Sequence, residues 1–189
     1  MIPAPTLTVE QLQIRPFTEA DLVSFARYRA IPEVARYQSW SNYSLLDAKR
    51  LLANSHYDQF AQAGKWYQLA IVDKNSQQLL GDVALHFIDD GAELPTTHQQ
   101  VEIGFTLAPE YQGKGIASLA VKRVLAYLFN ELSKHRVVAT TDTRNVASWQ
   151  LLQRLGFRRE AHFKHNIFFK GEWGDEYQYA LLATEFEAT

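Results

Sequence analysis

The sequence predicts an α/β protein in which helices cover both faces of a mixed β-sheet. Segments that alternate apolar and polar residues are typical of strands, and they are interrupted by segments with the apolar spacing of amphipathic helices. A strand meander followed by crossover helices produces neighbouring strands of both orientations. The 189 residues, of which 47% are apolar and 21% charged, suffice for one domain with its own core. We therefore predict a single domain over residues 1–189.

Seven strands and four helices are expected, in the order strand, two helices, three strands, helix, strand, helix, two strands. The strands are predicted at 12–17, 65–73, 78–88, 100–107, 135–142, 157–169 and 176–186. The helices are predicted at 18–30, 44–64, 116–128 and 145–157. The segment 88–100 is rich in turn-forming residues, so an exposed loop is expected there.

The predicted helices differ in how they begin. Thr18 and Ser44 are each followed three residues later by an aspartate, which is the sequence signature of a capping box. Asn145 is a good N-cap for the last helix. The helix that begins at Ile116 has no such residue, because Gly113-Lys114-Gly115 precedes it.

Composition excludes several classes of chemistry. The chain has no cysteine, so disulfides, thiolate metal sites and a cysteine nucleophile are excluded. The net charge of −2 gives no indication of nucleic-acid or membrane binding. His162 and His165 are three residues apart on a predicted strand, so they are expected on opposite faces and no metal site is predicted. The first residues lack the pattern of a secretory signal, and a cytoplasmic protein is expected.

The loop before Ile116 has the chemistry of an anion site. A helix N-terminus leaves backbone N–H groups without partners and carries a partial positive charge. Glycines at 113 and 115 let a ligand approach the backbone closely, and Lys114 adds a positive charge. The spacing fits neither the P-loop nor the three-glycine dinucleotide fingerprint. The residues thus predict a phosphate site of another kind.

The segment Gln112–Ala117 fits the pattern Q/R-x-x-G-x-G/A and resembles the pyrophosphate loop of the GNAT N-acetyltransferases. It follows "VEIGFTLAPEY" and precedes "NVAS" and "LGF" at the spacing of that family. "RYQSWSNYSLLDAKRLL" and "GEWGDEYQYALLATEF" are similar to its RimJ/RimL-like branch, the ribosomal-protein alanine N-terminal acetyltransferases. The resemblance implies a mostly antiparallel sheet of about seven strands that splays between strands four and five. It also implies acetyl-CoA as the cofactor.

The resemblance assigns roles to two groups of residues. Backbone groups of strand four would pair with the pantetheine arm, and the Leu107 N–H would polarise the thioester carbonyl. Asn145 would contact the pantetheine besides capping its helix, and Ser148 would donate a proton to the departing thiolate; for Ser148 the alternative is an ordinary first-turn serine. The implied cofactor-binding residues are Phe105, Thr106, Leu107, Gln112, Gly113, Lys114, Gly115, Ile116, Ala117, Asn145 and Ser148.

The acceptor side is less specific in sequence. Glu102 is the leading candidate for the general base, with Glu160 as a second; the alternative for Glu102 is a structural pair with a nearby cation. Tyr37 and Trp40 border the expected acceptor site and could shape it, or they could belong to the core. His86 could face the same cleft, or it could be a packed strand residue.

The expected activity is acetyl transfer from acetyl-CoA to a primary amine, by direct attack in a ternary complex. The preferred acceptor is a protein or peptide N-terminus, such as that of a ribosomal protein. Alternatives are a small amine such as an aminoglycoside, polyamine or amino acid, a non-catalytic acyl-CoA-binding module, or a loop that binds another phosphate ligand. A monomer or homodimer is expected, with neither nucleic acid nor membrane as a partner.

Overall fold

The computed structural model describes residues 2–88 and 99–187, and it confirms the predicted α/β class. The predicted loop at 88–100 lies almost entirely outside the described residues. The strands are β1 Leu7–Val9, β2 Leu12–Pro16, β3 Lys65–Asp73, β4 Leu79–Phe87, β5 Gln100–Leu107, β6 Arg136–Asp142, β7 Arg158–Phe169 and β8 Glu172–Leu182. The helices are α1 Leu22–Arg29, α2 Pro32–Ala35, α3 Leu45–Ala53, α4 Ile116–Ala126 and α5 Val146–Arg154.

One mixed sheet contains all eight strands, in the order β1-β2-β3-β4-β5-β6-β8-β7. All neighbours are antiparallel except β5 and β6, which run parallel. The prediction of about seven strands missed β1, which spans three residues and pairs with β2 across a tight turn at Glu10. Three residues are too few for the alternation of a strand to be recognised in sequence.

Helices lie on both faces of the sheet, as predicted. Alternate residues of β3 belong to different cores: Leu69 and Ile71 pack with α4 and α5, whereas Ala70 and Val72 pack with α1 and α3. Because successive strand side chains point to opposite faces, one strand supports both layers. Among the described residues, no helix has the length and hydrophobicity required to span a bilayer.

The sheet opens where its two parallel strands diverge. β5 and β6 pair only at Gln100, Val101 and Glu102, whereas β5 remains paired with β4 as far as Leu107. The last five residues of β5 therefore have a strand neighbour on one side only. This is the splay that the family resemblance implied, between the fourth and fifth of the predicted strands.

The predicted helix at 44–64 was too long. α3 begins at the predicted cap, where the Ser44 hydroxyl accepts a hydrogen bond from the Asp47 N–H and the Asp47 carboxylate bonds back to the Ser44 N–H. It ends at Ala53, because the side chains of Asn54 and Ser55 donate to carbonyls of the last turn. Such side chains compete with the backbone for those carbonyls and favour helix ends.

The β7–β8 hairpin corrects two further expectations. The predicted six-residue turn is a two-residue turn at Lys170 and Gly171, both with positive φ, as hairpins prefer. His162 and His165 were expected on opposite faces, but an irregularity between Phe163 and Ile167 brings both histidines to one carboxylate, that of Asp175. Among the described residues, no group of three or more His, Asp or Glu side chains could hold a metal ion.

Candidate active site

The helix α4 begins on glycine without a side-chain cap. Gly115 is its N-cap with φ of 77°, and Gly113 has φ of 71°, a region that residues with a Cβ adopt at a cost. A Cβ built on either glycine would meet no atom within 4 Å, so both face open space. The first turn of α4 contains no acid. Its free N–H groups and its dipole therefore point at a space that an anion can enter.

A cavity of about 630 Å³ lies in front of these N–H groups, and we call it the larger cavity. It brings together most of the residues that the family motif singled out, from β5, the glycine loop and α5. Its lining includes Phe105, Thr106, Leu107, Gln112, Gly113, Gly115, Ile116, Ala117, Asn145 and Ser148. Lys114 is the exception, because it lines a separate surface depression with Lys122.

The end of β5 directs backbone groups into the splay. The N–H of Ala108 donates to the Leu80 carbonyl of β4 at 3.0 Å, and successive N–H groups of a strand point to opposite sides. The Leu107 N–H is therefore directed away from β4. The Leu107 carbonyl accepts from the Gln112 side chain at 3.0 Å, which ties the glycine loop to the strand end. The Thr106 carbonyl instead lies against Gly81 of β4.

One face of α5 completes the larger cavity. Asn145 caps the helix, since its side-chain oxygen accepts from the Ser148 N–H at 3.4 Å. Ser148, Leu151 and Arg154 line the cavity from successive turns. The sequence analysis missed Arg154, a cation on this face. The repeated three-residue spacing of Ser148, Leu151 and Arg154 indicates that they share one helix face.

A second, smaller cavity of about 270 Å³ adjoins the first at the splay. The two cavities share Tyr37, Gln38, Phe105, Asn145 and Ser148. The smaller cavity is also lined by adjacent residues of β5 and β6, whose side chains belong to opposite faces of the sheet. Its further lining residues are Ser39, Ile103, Gly104, Ala139, Thr140, Thr141, Asp142, Ile167, Phe169 and Glu176. The two cavities thus meet where the sheet is open.

Two charged side chains of the described residues line the smaller cavity, Asp142 and Glu176, and both are carboxylates. No cationic side chain of the described residues lines it. Asp142 is paired with Arg144, whose guanidinium lies 2.7 Å from it. Burial alone would raise the pKa of Asp142, but hydrogen bonds from Arg144 outweigh burial and lower it. Glu176 accepts a hydrogen bond from the neutral amide of Asn166 at 2.6 Å.

The predicted acceptor residues separate into two groups. Tyr37 lines both cavities, and its hydroxyl donates to the Arg144 carbonyl at 3.3 Å. Trp40 lines neither of them within the described chain. Its ring packs 4.0 Å from the Arg29 guanidinium, and its indole N–H donates to the Arg29 carbonyl. Arg29 in turn forms a buried ion pair of 3.0 Å with Asp82. Trp40 therefore covers this ion pair.

The two carboxylates considered as bases both have nearby partners. Glu102 lies opposite His86 on β4, 3.6 Å from its Nδ1, and His86 stacks on Trp66 with ring centroids 4.7 Å apart. Neither Glu102 nor His86 belongs to the described lining of the two cavities. Glu160 is held by Arg136 and Arg158, whose hydrogen bonds lower its pKa to about 2. Such a weak base is a poor proton acceptor.

Comparison with known proteins identifies the family. Residues 11–158 match the model of the acetyltransferase (GNAT) domain. The chain is 29% identical over 180 residues to an uncharacterized N-acetyltransferase of Bacillus subtilis, YnaD, covering 95% of this chain and 98% of that one. It is 25% identical over 176 residues to the spermidine N(1)-acetyltransferase of Vibrio cholerae, covering 93% and 95%. A GNAT-family acetyltransferase structure from Bacillus anthracis superposes with a TM-score of 0.82 at 27% identity, covering 96% and 100%.

The sequence match and the fold agree, and the splay and the uncapped α4 are the features that the motif led us to expect. GNAT enzymes take the acetyl group from acetyl-CoA, and the larger cavity faces the free N–H groups that a pyrophosphate requires. The chain belongs to the GNAT family and is an acetyl-CoA-dependent N-acetyltransferase.

Proposed function

We propose that this enzyme acetylates the α-amine of a protein or peptide, as the RimJ/RimL-like resemblance suggests. The observation that carries the proposal is the lining of the smaller cavity. It combines apolar side chains, among them Tyr37, Ile167 and Phe169, with a single carboxylate that no cationic side chain of the described residues neutralises. A peptide N-terminus presents one positive charge beside an apolar or neutral side chain, and this lining complements both.

In this proposal the larger cavity holds acetyl-CoA. The N–H groups that follow Gly115 bind the pyrophosphate, and Arg154 adds a positive charge on the other side of the cavity. The backbone of Phe105 and Leu107 pairs with the pantetheine arm, because this edge of β5 has no strand beside it. Gln112 fixes the loop to the strand end.

The chemistry would take place where the two cavities meet. Bound acetyl-CoA supplies the thioester. The Leu107 N–H donates to its carbonyl oxygen as negative charge develops, a kind of contact worth about 3 kcal/mol in other enzymes. Ser148 lines both cavities, and in this proposal its hydroxyl protonates the departing sulfur.

A polyamine is the second candidate, since the Vibrio cholerae relative is named for spermidine. A polyamine carries several positive charges at neutral pH and is best bound by several free carboxylates. Asp142 is held by Arg144, which leaves Glu176 alone in the smaller cavity. The described lining therefore favours an acceptor with one charge.

The test is acetyl transfer from acetyl-CoA to a panel of amines, followed by thiol release and by mass spectrometry of the product. The panel contains peptides with free N-termini, the same peptides with blocked N-termini and one internal lysine, spermidine and an aminoglycoside. We expect turnover of the free peptides and none of the blocked ones.

A kcat/KM for spermidine about tenfold above that of every peptide, equivalent to about 1.4 kcal/mol, would overturn the proposed acceptor. Acetylation of the lysine in blocked peptides at the rate of the free ones would also overturn it. Neither result would affect membership of the GNAT family.

A further inference from the structure

We propose that Glu176 binds the acceptor amine and accepts its proton during acetyl transfer. The inference rests on the proposed function, because it assigns the proton acceptor that N-acetylation requires. The sequence analysis did not select Glu176. Glu176 lies in the segment "GEWGDEYQYALLATEF", which resembles the RimJ/RimL-like branch as a whole. That resemblance assigned no role to this residue.

The position of Glu176 in the fold supports this role. Glu176 lies on β8 directly opposite Asp142, the last residue of β6, and it lines the smaller cavity. That cavity shares Asn145 and Ser148 with the larger one, where the coenzyme is proposed to bind. An amine bound in the smaller cavity would therefore share that cavity with the Glu176 side chain.

The charged groups around Glu176 also support this role. Asp142, the other carboxylate of the cavity, bonds to Arg144, which also bonds to Glu172 at 2.5 Å. On the adjacent β7, His162 and Lys164 both contact Asp175. Among the described residues, the polar contact of Glu176 is the Asn166 amide, which orients the carboxylate without neutralising it. An ammonium group in the cavity would therefore find its counter-ion in Glu176.

Glu102, the other candidate for the proton acceptor, lies in a different place. Glu102 lies on the last residue pair that β5 shares with β6, before the splay opens. Its carboxylate faces His86, and it is absent from the described lining of both cavities. Glu102 therefore lies outside the described lining of the cavity in which the amine is proposed to bind.

Glu176 first takes one proton from the ammonium group and passes it to water, which leaves a neutral amine whose lone pair forms the bond to the acetyl carbon. Glu176 then takes the second proton from the nitrogen as the amide forms. The carbon–sulfur bond breaks, and its electron pair leaves with the coenzyme sulfur. The sulfur takes a proton relayed through the Ser148 hydroxyl from water, and Glu176 returns its own proton to water. A proton acceptor in reach of the nucleophile accelerates such reactions by about 10²–10⁴-fold.

The test is Glu176→Gln, assayed with the best acceptor of the panel. We expect kcat/KM to fall by about 100-fold, the lower end of the range for proton transfer, with unchanged affinity for CoA. The deficit should shrink as the pH rises towards the amine pKa of about 8, because the amine then arrives neutral and its first deprotonation needs no base. A purely structural role of Glu176 would not produce this pH dependence.

Three variants serve as controls. Glu131→Gln makes the same change at an exposed residue after α4, and it should retain wild-type rates. Glu176→Asp keeps a carboxylate, so it should show an intermediate rate and the wild-type pH profile even if Glu176→Gln folds poorly. Glu102→Gln tests the competing carboxylate, and a larger loss there than at Glu176 would overturn the proposal.

Wild-type kcat/KM for Glu176→Gln, or a deficit that does not change with pH, would also overturn it. These results are distinct from a failure of the proposed function, because in that case the wild-type enzyme would itself acetylate no peptide.

Discussion

The helices α3 and α4 have similar lengths but begin in opposite ways. α3 starts with the reciprocal hydrogen bonds of Ser44 and Asp47, which satisfy its first N–H groups within the protein. α4 starts on Gly115 in the left-handed conformation, without a side-chain cap and without an acid in its first turn. The absence of a side-chain N-cap lowers the stability of a helix by about 1 kcal/mol. In α4 this cost leaves the N–H groups free for a ligand.

The contrast shows how the same feature, a helix N-terminus, serves stability in one place and binding in another. At the start of α3 the chain supplies the anion itself through Asp47. At the start of α4, which faces the larger cavity, the anion is proposed to come from the coenzyme. Substitutions at the N-terminal ends of the two helices should therefore have different consequences.

Gly115→Glu should abolish coenzyme binding. The new carboxylate would occupy the space in front of the free N–H groups and repel the pyrophosphate. We expect the affinity for CoA to fall by more than about 100-fold, or about 2.7 kcal/mol, in isothermal calorimetry. The Cβ meets no protein atom, so the cost to stability is the positive φ alone, about 1–2 kcal/mol.

Gly115→Asn is the matched control, because asparagine tolerates positive φ and carries no charge. It should lose less affinity than the glutamate variant. Equal losses in both variants would show that backbone strain, and not charge, explains the effect. Unchanged affinity in both would show that the uncapped end is not the pyrophosphate site.

Ser148→Ala should lower kcat by about 100-fold, since it removes the hydroxyl that is proposed to protonate the sulfur. The affinity for CoA should stay close to that of the wild type, because the Ser148 N–H still bonds to Asn145. Stopped-flow measurement of thiol release with saturating substrates gives kcat directly. Wild-type kcat in the variant would reduce Ser148 to an ordinary residue of the first turn.

Ser44→Ala should affect stability and leave coenzyme binding unchanged. It removes the acceptor for the Asp47 N–H, and the loss of such a cap costs about 1 kcal/mol in urea unfolding. Ser24→Ala, a serine inside α1, is the matched control and should lie within about 0.5 kcal/mol of the wild type. A weakened affinity for CoA in Ser44→Ala would contradict the division of roles between the two helix ends.

Glu160→Gln should have the smallest effect, because its ion pairs with Arg136 and Arg158 lie near the surface and such pairs contribute about 0–1 kcal/mol. The pKa of Glu160 is lowered to about 2 by hydrogen bonds from Arg136 and Arg158, against about 4.3 in the unfolded chain. The carboxylate therefore stabilises the fold above about pH 4.3, and this contribution is lost as the pH falls towards 2. Urea midpoints of both proteins should converge over that interval, and a difference that persists in acid would contradict the pairing.

The parts that could be predicted from sequence are those with a local physical signal. The start of α3, the cap and end of α5 and the hairpin of β3 and β4 all depend on residues close in the chain. The end of α3 was missed because Asn54 and Ser55 act through side-chain hydrogen bonds that no periodicity reveals. The turn between β7 and β8 was predicted to extend from Lys170 to Asp175, whereas β8 already begins at Glu172.

The sequence by itself determined the family, the coenzyme and the loop that faces the larger cavity, because the glycine pattern from Gln112 to Ala117 is contiguous and its chemistry is local. Only the tertiary structure decided the acceptor side. Tyr37, Asp142 and Glu176 lie on separate elements, and whether a carboxylate is neutralised depends on neighbours such as Arg144, which the fold brings together. Trp40 and Glu102 were reasonable acceptor-side candidates in sequence, yet the fold places them against Arg29 and His86. Charge and solvation in a cavity are properties of residues distant in the chain, and no local pattern encodes them.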